Sequence, residues 1–470
     1  MQKARVSCKF TQHLPQQIMK ILLKCPTRAR PQKVMDTLNK YMNLANRPDQ
    51  IGVLVSCDTD DTTMSRNLVR EELTRILSKA AWSSIVYGNS KSKIEACNAD
   101  VASVPWEWDV IVLVSDDMIP QIKGYDDVIR SHMMTFESTY GILWFNDGFQ
   151  QEKLNTLTIF GRAMYDSFGY LYNPAYTSLF CDTELTDLCR TKLKETCLYV
   201  PYCIIRHEHP ATGYGGMDGL YHTNNQYFAK DLKTYISRKA YEYDWSVLIP
   251  TMPGREDRLQ ALLKRIRHMC SVRNIKVEIC LNFDNKESSV GLKRQALLQG
   301  AQGKYMSFVD DDDELTDFYF EDLVATIRGG YDCMRLRGSI APYTFTHTVA
   351  QPITGVMARG EEFLRPPNHL NPMLTDVAKF IPFKDAIRGE DLDWTLTLAR
   401  HGFLKTEYAS SHDRIHYVYN VRTPVTQSAL EYQHTTTYEE FLRKVWVSSS
   451  SPAPVRPAGL RLGPNGFRRV

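Results

Sequence analysis

The chain has 470 residues, enough for two or three domains at about 150 residues each. Its 43% hydrophobic and 24% charged residues are the balance of an ordinary folded protein, and a formal charge of +3 creates no overall demand for nucleic acid or an acidic membrane. Eleven cysteines without a CxxC pair exclude a zinc or dithiol signature and fit a cytoplasmic compartment, while the N-terminal stretch lacks a signal-peptide core and no run approaches the roughly 18 apolar residues of a membrane span.

After a polar lead (residues 1–19), Ile21 to Cys25 reads as a short strand ending at Pro26. Val34, Leu38, Tyr41 and Met42 then recur at helical spacing. A second strand, Ile51 to Ser56, runs into Cys57-Asp58-Thr59-Asp60-Asp61, so a strand end presents acids. Arg66 to Leu77 and Ile94 to Ala102 read as helices around a strand at Ser84 to Tyr87. Asp109 to Val114 is a buried strand closing on Ser115-Asp116-Asp117. Strands alternating with helices predict a mainly parallel sheet. Further on, Gly141 to Phe145 reads as a strand, Asp182 and Glu184 open a helix, Cys203 to Arg206 leads into His207 and His209, and Asn225 to Tyr235 is helical.

From Trp245 the order begins again. Trp245 to Ile249 ends at Pro250-Thr251 as Ile21 to Cys25 ended at Pro26-Thr27. Arg258 to Met269 is the matching helix, and Val277 to Leu281 the matching strand, reaching Asp284 where the first half has Asp58. Gly291 to Leu298 precedes the strand of GKYMSFVDDDD, Gly303 to Asp313, and Glu390-Asp391 opens a late helix before His412 and His416. The expected organisation is two tandem α/β domains, 20–240 and 241–447, joined near Ser237 to Asp244. The tail from Ser448 is too rich in Ser, Pro and Gly to bury much and is expected to be disordered. Local basic clusters, Lys264, Arg265, Arg267 and His268 and again Arg468-Arg469, read as solvated faces.

The most informative stretch is Asp310 to Asp313. Four adjacent carboxylates repel one another unless a cation or a hydrogen-bond network offsets them. At a strand end of an open α/β sheet, where ligands bind, Mg²⁺ or Mn²⁺ is the natural cation because hard oxygen ligands suit it and it also bridges a diphosphate. The competing reading is an acidic turn capping the helix at Phe318 to Ile327.

With these residues in place, the chain resembles family 2 glycosyltransferases, which adopt the GT-A fold and use nucleotide-diphosphate sugars. The second copy carries the closer match over roughly 200 residues: Pro250-Thr251 with Arg255, Asp284, Lys293-Arg294, the DxD-type run Asp310-Asp311-Asp312, and Glu390-Asp391. The resemblance implies that Asp284 hydrogen-bonds the base or ribose, that Asp312 holds Mn²⁺ or Mg²⁺ with Asp310 on the ribose or metal shell, and that Lys293 and Arg294 help neutralise the diphosphate. It also implies that Asp391, beside Glu390, is the general base for an inverting transfer, and that His416, with His412 as competitor, completes the metal shell. An aspartate needs partial burial to be an effective base, which Leu392 and Trp394 are placed to supply. Against these roles stand the plain alternatives of surface cations on a helix, acids favoured by a helix N-terminus, and a structural histidine.

The first copy departs from the pattern, with Ser115-Asp116-Asp117 in place of Asp310-Asp311-Asp312. There the resemblance leaves Asp117 with His207 or His209 for metal, and Asp182 or Glu184 as base; whether this copy turns over or only binds is open. Acceptors compatible with the class are a glycan, a protein side chain, a small metabolite or a hydroxymethylated base in DNA. The last enters because compact two-copy enzymes of this kind are similar to those of large DNA viruses and phages, which would place the protein in a host cytoplasm. UDP is the expected nucleotide. Two other readings compete: a glycan-binding scaffold, which predicts broken acids in both copies, and a nucleotidyltransferase, which the late Glu-Asp and His fit poorly.

Overall fold

The computed structural model describes residues 18–209, 219–284, 287–340, 343–350, 357–359, 362–411, 414–420 and 467–469. Two compact units divide between Lys239 and Ala240. Both are α/β with mainly parallel central sheets, the class expected from the alternation of apolar runs and helical spacings. Among the described residues no helix is long and apolar enough to cross a membrane.

The first unit opens with β1 (Ile21–Pro26), α1 (Pro31–Leu44), β2 (Ile51–Asp58), α2 (Asn67–Leu77), β3 (Trp82–Gly88), α3 (Lys93–Asn98) and β4 (Val110–Leu113). It continues with β5 (Met118–Pro120), α4 (Tyr125–Met133), β6 (Ile142–Phe145), β7 (Ile159–Gly161), α5 (Arg162–Phe168), α6 (Cys181–Arg190), β8 (Cys197–Val200) and β9 (Ile205–His207), then α7 (Gly219–Asn225) and α8 (Phe228–Arg238). β1 and β2 are apolar almost throughout because helices cover both faces of a parallel sheet. α1 starts with Pro31, whose fixed φ suits a first helical position, and buries Val34, Leu38, Tyr41 and Met42. A buried cation lies within this core: Lys24 is fully buried, donates to Ser56, and is held down at about 8 by burial, which Asp100 partly offsets.

The helix expected over Ile94 to Ala102 ends at Asn98. Asp100 turns left-handed (φ 67°), which an aspartate tolerates, and its carboxylate accepts from the Ser56 hydroxyl at 2.6 Å beneath Lys24. The helix expected over Asn225 to Tyr235 is two helices, the second fixed by buried Asp231, which accepts the backbone N–H groups of Thr177, Ser178 and Leu179.

The second unit comprises β10 (Tyr243–Thr251), α9 (Glu256–Arg273), β11 (Val277–Phe283), α10 (Val290–Gly300), β12 (Gly303–Phe308), β13 (Glu314–Leu315) and α11 (Asp317–Gly329). Next come β14 (Cys333–Met334), β15 (Leu336–Ile340), β16 (Tyr343–His347), β17 (Met357–Arg359), β18 (Glu362–Arg365) and β19 (Met373–Leu374). Last are α12 (Thr375–Ala378), α13 (Glu390–His401), β20 (Glu407–Tyr408), β21 (Tyr417–Val418) and β22 (Phe467–Arg469). The rest of the stretch from Ser448 lies outside the described residues.

The internal repeat is a repeat of topology. The first sheet runs β3-β2-β1-β4-β7-β6-β8 and the second β22-β11-β10-β12-β19-β14-β20. Directions agree at each matching step: parallel pairs around β1 and β10, an antiparallel step from β4 to β7 and from β12 to β19, another antiparallel step, and a final parallel pair. The copies differ in two places. The second unit passes from β11 to α10 with no counterpart of α2 and β3, and β22 takes the vacated edge, antiparallel on β11. The two-stranded β5-β9 sheet of the first unit has grown in the second into β13-β21-β15-β16-β18-β17.

The late acidic helices also match in their first residues. α6 is entered through Phe180 and α13 through Gly389, both left-handed (φ 64° and 76°), so Asp182 and Asp391 are each the second residue of their helix. Phe180 tolerates that conformation while packing edge-on to Phe228, ring centroids 5.1 Å apart. An alanine at 389 has no such contact to offset a left-handed cost of roughly 1–2 kcal/mol. Gly389→Ala is therefore expected to lower the second unit's melting temperature by several degrees in differential scanning calorimetry.

Candidate active sites

In the second unit the four aspartates leave the end of β12 with alternate environments. Asp311 points inward, 2% exposed, and accepts from the Thr251 hydroxyl at 2.6 Å and from Arg255 at 2.5 Å. Asp313 also points into the unit: the Tyr417 hydroxyl donates to it at 2.7 Å and the Asn420 N–H at 3.0 Å. The same Tyr417 oxygen accepts the N–H of Asp310, tying the turn to β21. Two carboxylates, Asp310 and Asp312, are left facing the cleft side. Arg255 reaches Asp312 only at 3.4 Å.

Burial and charge crowding act together at this turn. Burial, then the carboxylates of Asp312, Asp311 and Asp391, pushes Asp310 above the usual carboxylate range, against the pull of Arg294. Asp313 is pushed up to about 7, first by burial and then by Asp310 and Asp312, in spite of its two donors. Asp391, half-buried at the start of α13, thus shares the field of Asp310. Tyr419 shares it too: partial burial and the charges of Asp310, Asp313 and Asp391 raise its hydroxyl, and Arg365 opposes them.

The expected donor-side residues occupy the same strand ends. Pro250 and Thr251 lie opposite Asn282 and Phe283 in the parallel ladder. Asp284 follows β11 and accepts the N–H groups of Glu287 at 2.6 Å and Ser288 at 2.9 Å. Burial is outweighed by these donors and by Lys293, 3.5 Å away, so its carboxyl lies below the usual range. Lys293 and Arg294 are thus not surface cations. Arg294 is buried on the Glu390 carboxylate, with its guanidinium 5.9 Å from the Phe308 ring centre.

Three of the expected residues are engaged within the fold. Glu390, expected among the catalytic residues, is 5% exposed and bound to Arg294. His416, expected as a metal ligand, has both ring nitrogens engaged: Nδ1 accepts the Arg337 N–H at 2.9 Å and Nε2 meets Asp322 at 2.8 Å. It is 3% exposed and joins β21 to α11. His412 lies outside the described residues. Trp394, expected to shield Asp391, stacks instead on Phe383 in the core.

The first unit repeats the frame with different chemistry. Arg30 at the start of α1 holds Asp116 at 3.0 Å, as Arg255 at the start of α9 holds Asp311. Ser115 donates to Asp117, so the hydroxyl that replaces a carboxylate relieves crowding. His207 approaches Asp117 at 3.6 Å, and the His209 ring is 5.4 Å from that of His207. Burial, then the neighbouring His207, lowers His209. Asp58 at the end of β2 is paired with Arg28 at 2.7 Å. Glu184 is taken by Arg238 and Tyr176, which leaves Asp182 as the acid facing this site. Lys93, exposed at the start of α3, lies within the field of both Asp182 and Asp117. Position by position, Cys97 and Cys181 stand where the second unit has Arg294 and Glu390, counting from the serine caps Ser92 and Ser289 and from Phe180 and Gly389.

Sequence reasoning missed Arg30, Lys93, Tyr417 and Tyr419. Arg30 was within reach of the repeat, since it follows Pro26-Thr27 nearly as Arg255 follows Pro250-Thr251. The tyrosines carry no local signal.

Among the described residues no group of three His, Cys, Asp or Glu side chains is arranged to hold a metal ion by itself. The partly exposed carboxylates of Asp310 and Asp312 are a donor set that fits Mg²⁺ or Mn²⁺ shared with substrate phosphates, the usual way Mg²⁺ is held.

No family model and no curated protein matches the chain. Among solved structures it is similar to a mannosyltransferase from Pyrobaculum calidifontis in complex with GDP-Man and Mn²⁺, at 13% identity and a TM-score of 0.35, covering 47% of this chain and 64% of that one. It is also similar to glucosyl-3-phosphoglycerate synthase from Mycobacterium tuberculosis, at 14% identity and a TM-score of 0.34, covering 48% and 83%. A cytidylyltransferase from Leptospira borgpetersenii matches at 12% identity and a TM-score of 0.28, covering 47% and 98%. The chain therefore spans less than two thirds of the mannosyltransferase.

The Asp313 shift gives a test. An unfolded aspartate titrates near pH 3.9, so across the window from about 4 to about 7 the folded state keeps a proton that the unfolded state has lost. Stability from this group is present below that window and is lost as pH rises through it. Asp313→Asn keeps an oxygen to accept the Asn420 N–H, and turns its amide N–H groups to the Tyr417 oxygen, without the charge. It should melt a few degrees above the parent chain at pH 8 and level with it near pH 4, as read by calorimetry in metal-free buffer.

Proposed function

We propose that the second unit is a divalent-metal-dependent glycosyltransferase of the family 2 type. It moves a sugar with inversion from a nucleotide-diphosphate sugar, UDP-linked in the first instance, to a hydroxyl acceptor. The observation that carries this reading is the alternation at the end of β12: Asp311 and Asp313 are consumed by the fold, while Asp310 and Asp312 are presented together with Asp391 at the carboxyl ends of the strands, where α/β sheets bind ligands. A glycan-binding scaffold needs none of this crowding, which lowers stability unless a ligand offsets it.

Asp310 and Asp312 would hold Mn²⁺ or Mg²⁺. When bound, that ion neutralises the negative charge that grows on the diphosphate leaving group. Arg255 fixes the acidic turn. Arg294, positioned by Glu390, adds positive potential next to Asp310. Lys293 and Asp284 form the nucleotide side of the site, and Asp391 accepts the proton of the acceptor hydroxyl. The N-terminus of α13 favours Asp391 as an anion, ready to take that proton. In the first unit Asp117, with His207 and His209 beside it, and Asp182 mark a second nucleotide-sugar or acceptor site, where Lys93 brings a cation that the second unit lacks at the matching position.

The test is turnover of UDP-sugars with Mn²⁺, read by mass spectrometry on hydroxymethylcytosine-containing DNA, glycans and proteins as acceptors. Asp312→Ala should lose metal-dependent turnover while its circular dichroism is unchanged. Asp391→Asn should keep donor binding and lose about 10²–10⁴-fold in transfer. Normal transfer by either purified variant rejects the assignment of that residue. Asp117→Ala separates the copies: loss of one product class identifies two active sites, and unchanged products make the first unit non-catalytic.

A further inference from the structure

Beside Asp391, the second unit collects basic side chains that neither the donor site nor the core explains. His347 and Arg365 are register partners on the parallel strands β16 and β18, so they project from one face. Phe345, two residues before His347 on that face, touches the His347 ring at 4.9 Å and the Tyr419 ring at 5.7 Å. His369 packs on Phe308, ring centroids 5.8 Å apart, and Phe308 also carries the Arg294 guanidinium. These residues enclose one patch next to Tyr419 and Asp391.

What sets the patch apart is unmet hydrogen bonding. His369 is 2% exposed and neither ring nitrogen has a partner. Arg365 keeps partial access to solvent, its Nε is buried without a partner, and no carboxylate among the described residues pairs with it. Other arginines of this unit are held by carboxylates, among them Arg255 on Asp311, Arg294 on Glu390 and Arg335 on Glu407. A buried donor without a partner is costly, so an unpaired guanidinium edge beside an unpaired imidazole calls for an external acceptor. Burial, followed by the Arg365 charge on His347 and by the Arg294 and Arg365 charges on His369, holds both histidines well below their usual range, so Arg365 lies within the field of both.

We propose that Arg365 and His369 form an anion subsite that recognises a phosphate group carried by the acceptor. Resting on the glycosyltransferase reading, this names its acceptor class. The planar guanidinium matches phosphate oxygens, and a neutral imidazole donates one further hydrogen bond. The subsite lies on the side of Asp391 formed by β16, β18 and β21, whereas the donor residues Asp284 and Lys293 belong to β11 and α10. A phosphate held there leaves the hydroxyl of the same acceptor near Asp391.

The probe is inorganic phosphate, titrated calorimetrically into the full chain at constant ionic strength with saturating UDP and Mg²⁺ already bound. One phosphate should bind the second unit, and Arg365→Gln should weaken it at least tenfold with UDP affinity unchanged. Arg365→Lys should recover part of the loss, and it serves as the reporter if the glutamine variant fails to fold. Displacement of the phosphate by glucose 6-phosphate points to a small phosphorylated acceptor, and displacement by a short single-stranded oligonucleotide to a nucleic-acid backbone; either supports the subsite. Undiminished phosphate binding in both variants overturns the proposal, as does displacement of phosphate by UDP. Failure of the parent chain to bind UDP would instead reject the glycosyltransferase reading and leave the phosphate result standing.

Discussion

The bond on which each unit depends joins the start of its first long helix to an acid just past β4 in the first unit and just past β12 in the second. In the second unit Arg255 and Thr251 hold Asp311; in the first, Arg30 holds Asp116. The interaction works because the acid is nearly excluded from water. An unpaired buried carboxylate would cost several kcal/mol, so the arginine and the acid fix one another's positions. Past the end of β12 the chain makes a turn in which the Asp313 N–H donates to the Asp310 carbonyl, and with Asp311 buried in that turn its neighbours Asp310 and Asp312 stay partly exposed. One ion pair thereby decides which aspartates belong to the fold and which are offered to a ligand.

The frame was legible in the sequence because its signals are local. A strand buried on both faces is a continuous apolar run, and its end is where the run breaks into Pro-Thr, Asp58, Asp284 or the four aspartates. The tandem repeat could be read from the order of those breaks. What could not be read depends on partners far apart in the chain. His416 is a plausible ligand until Asp322, 94 residues earlier, is known to take its Nε2. Glu390 is a plausible acid until Arg294, 96 residues earlier, is seen on it. The two-residue strands β13, β14, β19, β20 and β21 are too short to carry a period, yet β21 delivers Tyr417 and Tyr419 to the site. Arg365 and His369 belong to no motif, and their meaning comes only from what they fail to touch.

The two copies solve one electrostatic problem differently. In the second unit the crowded acids are balanced by a buried Arg294–Glu390 pair that adds one cation near Asp310 without adding net charge to the core. The first unit has Cys97 and Cys181 at those positions and fewer charges to balance, since Ser115 replaces an aspartate and donates to Asp117. Its cation comes instead from Lys93, four positions earlier on the helix. Removing a buried ion pair as a pair is often neutral for stability, whereas removing one member is not. The paired replacement of Arg–Glu by Cys–Cys follows that rule, with both ends changed together while the acid one residue further on, Asp182 or Asp391, keeps its place.

That constancy bears on how much the first unit retains. If its acids served only stability, the buried member Asp116 and its arginine would suffice, and nothing would keep Asp117 and Asp182 on the same side of the sheet. Both are there, half-exposed, with Lys93 near each and His207 beside Asp117. A histidine and a lysine among two acids make a weaker crowd of negative charge than four aspartates do. Such a site has less need of a divalent ion to be stable and more capacity to bind an anion directly. The two units thus present the same backbone frame with different charge balances: a run of four aspartates in one, two acids beside a histidine and a lysine in the other.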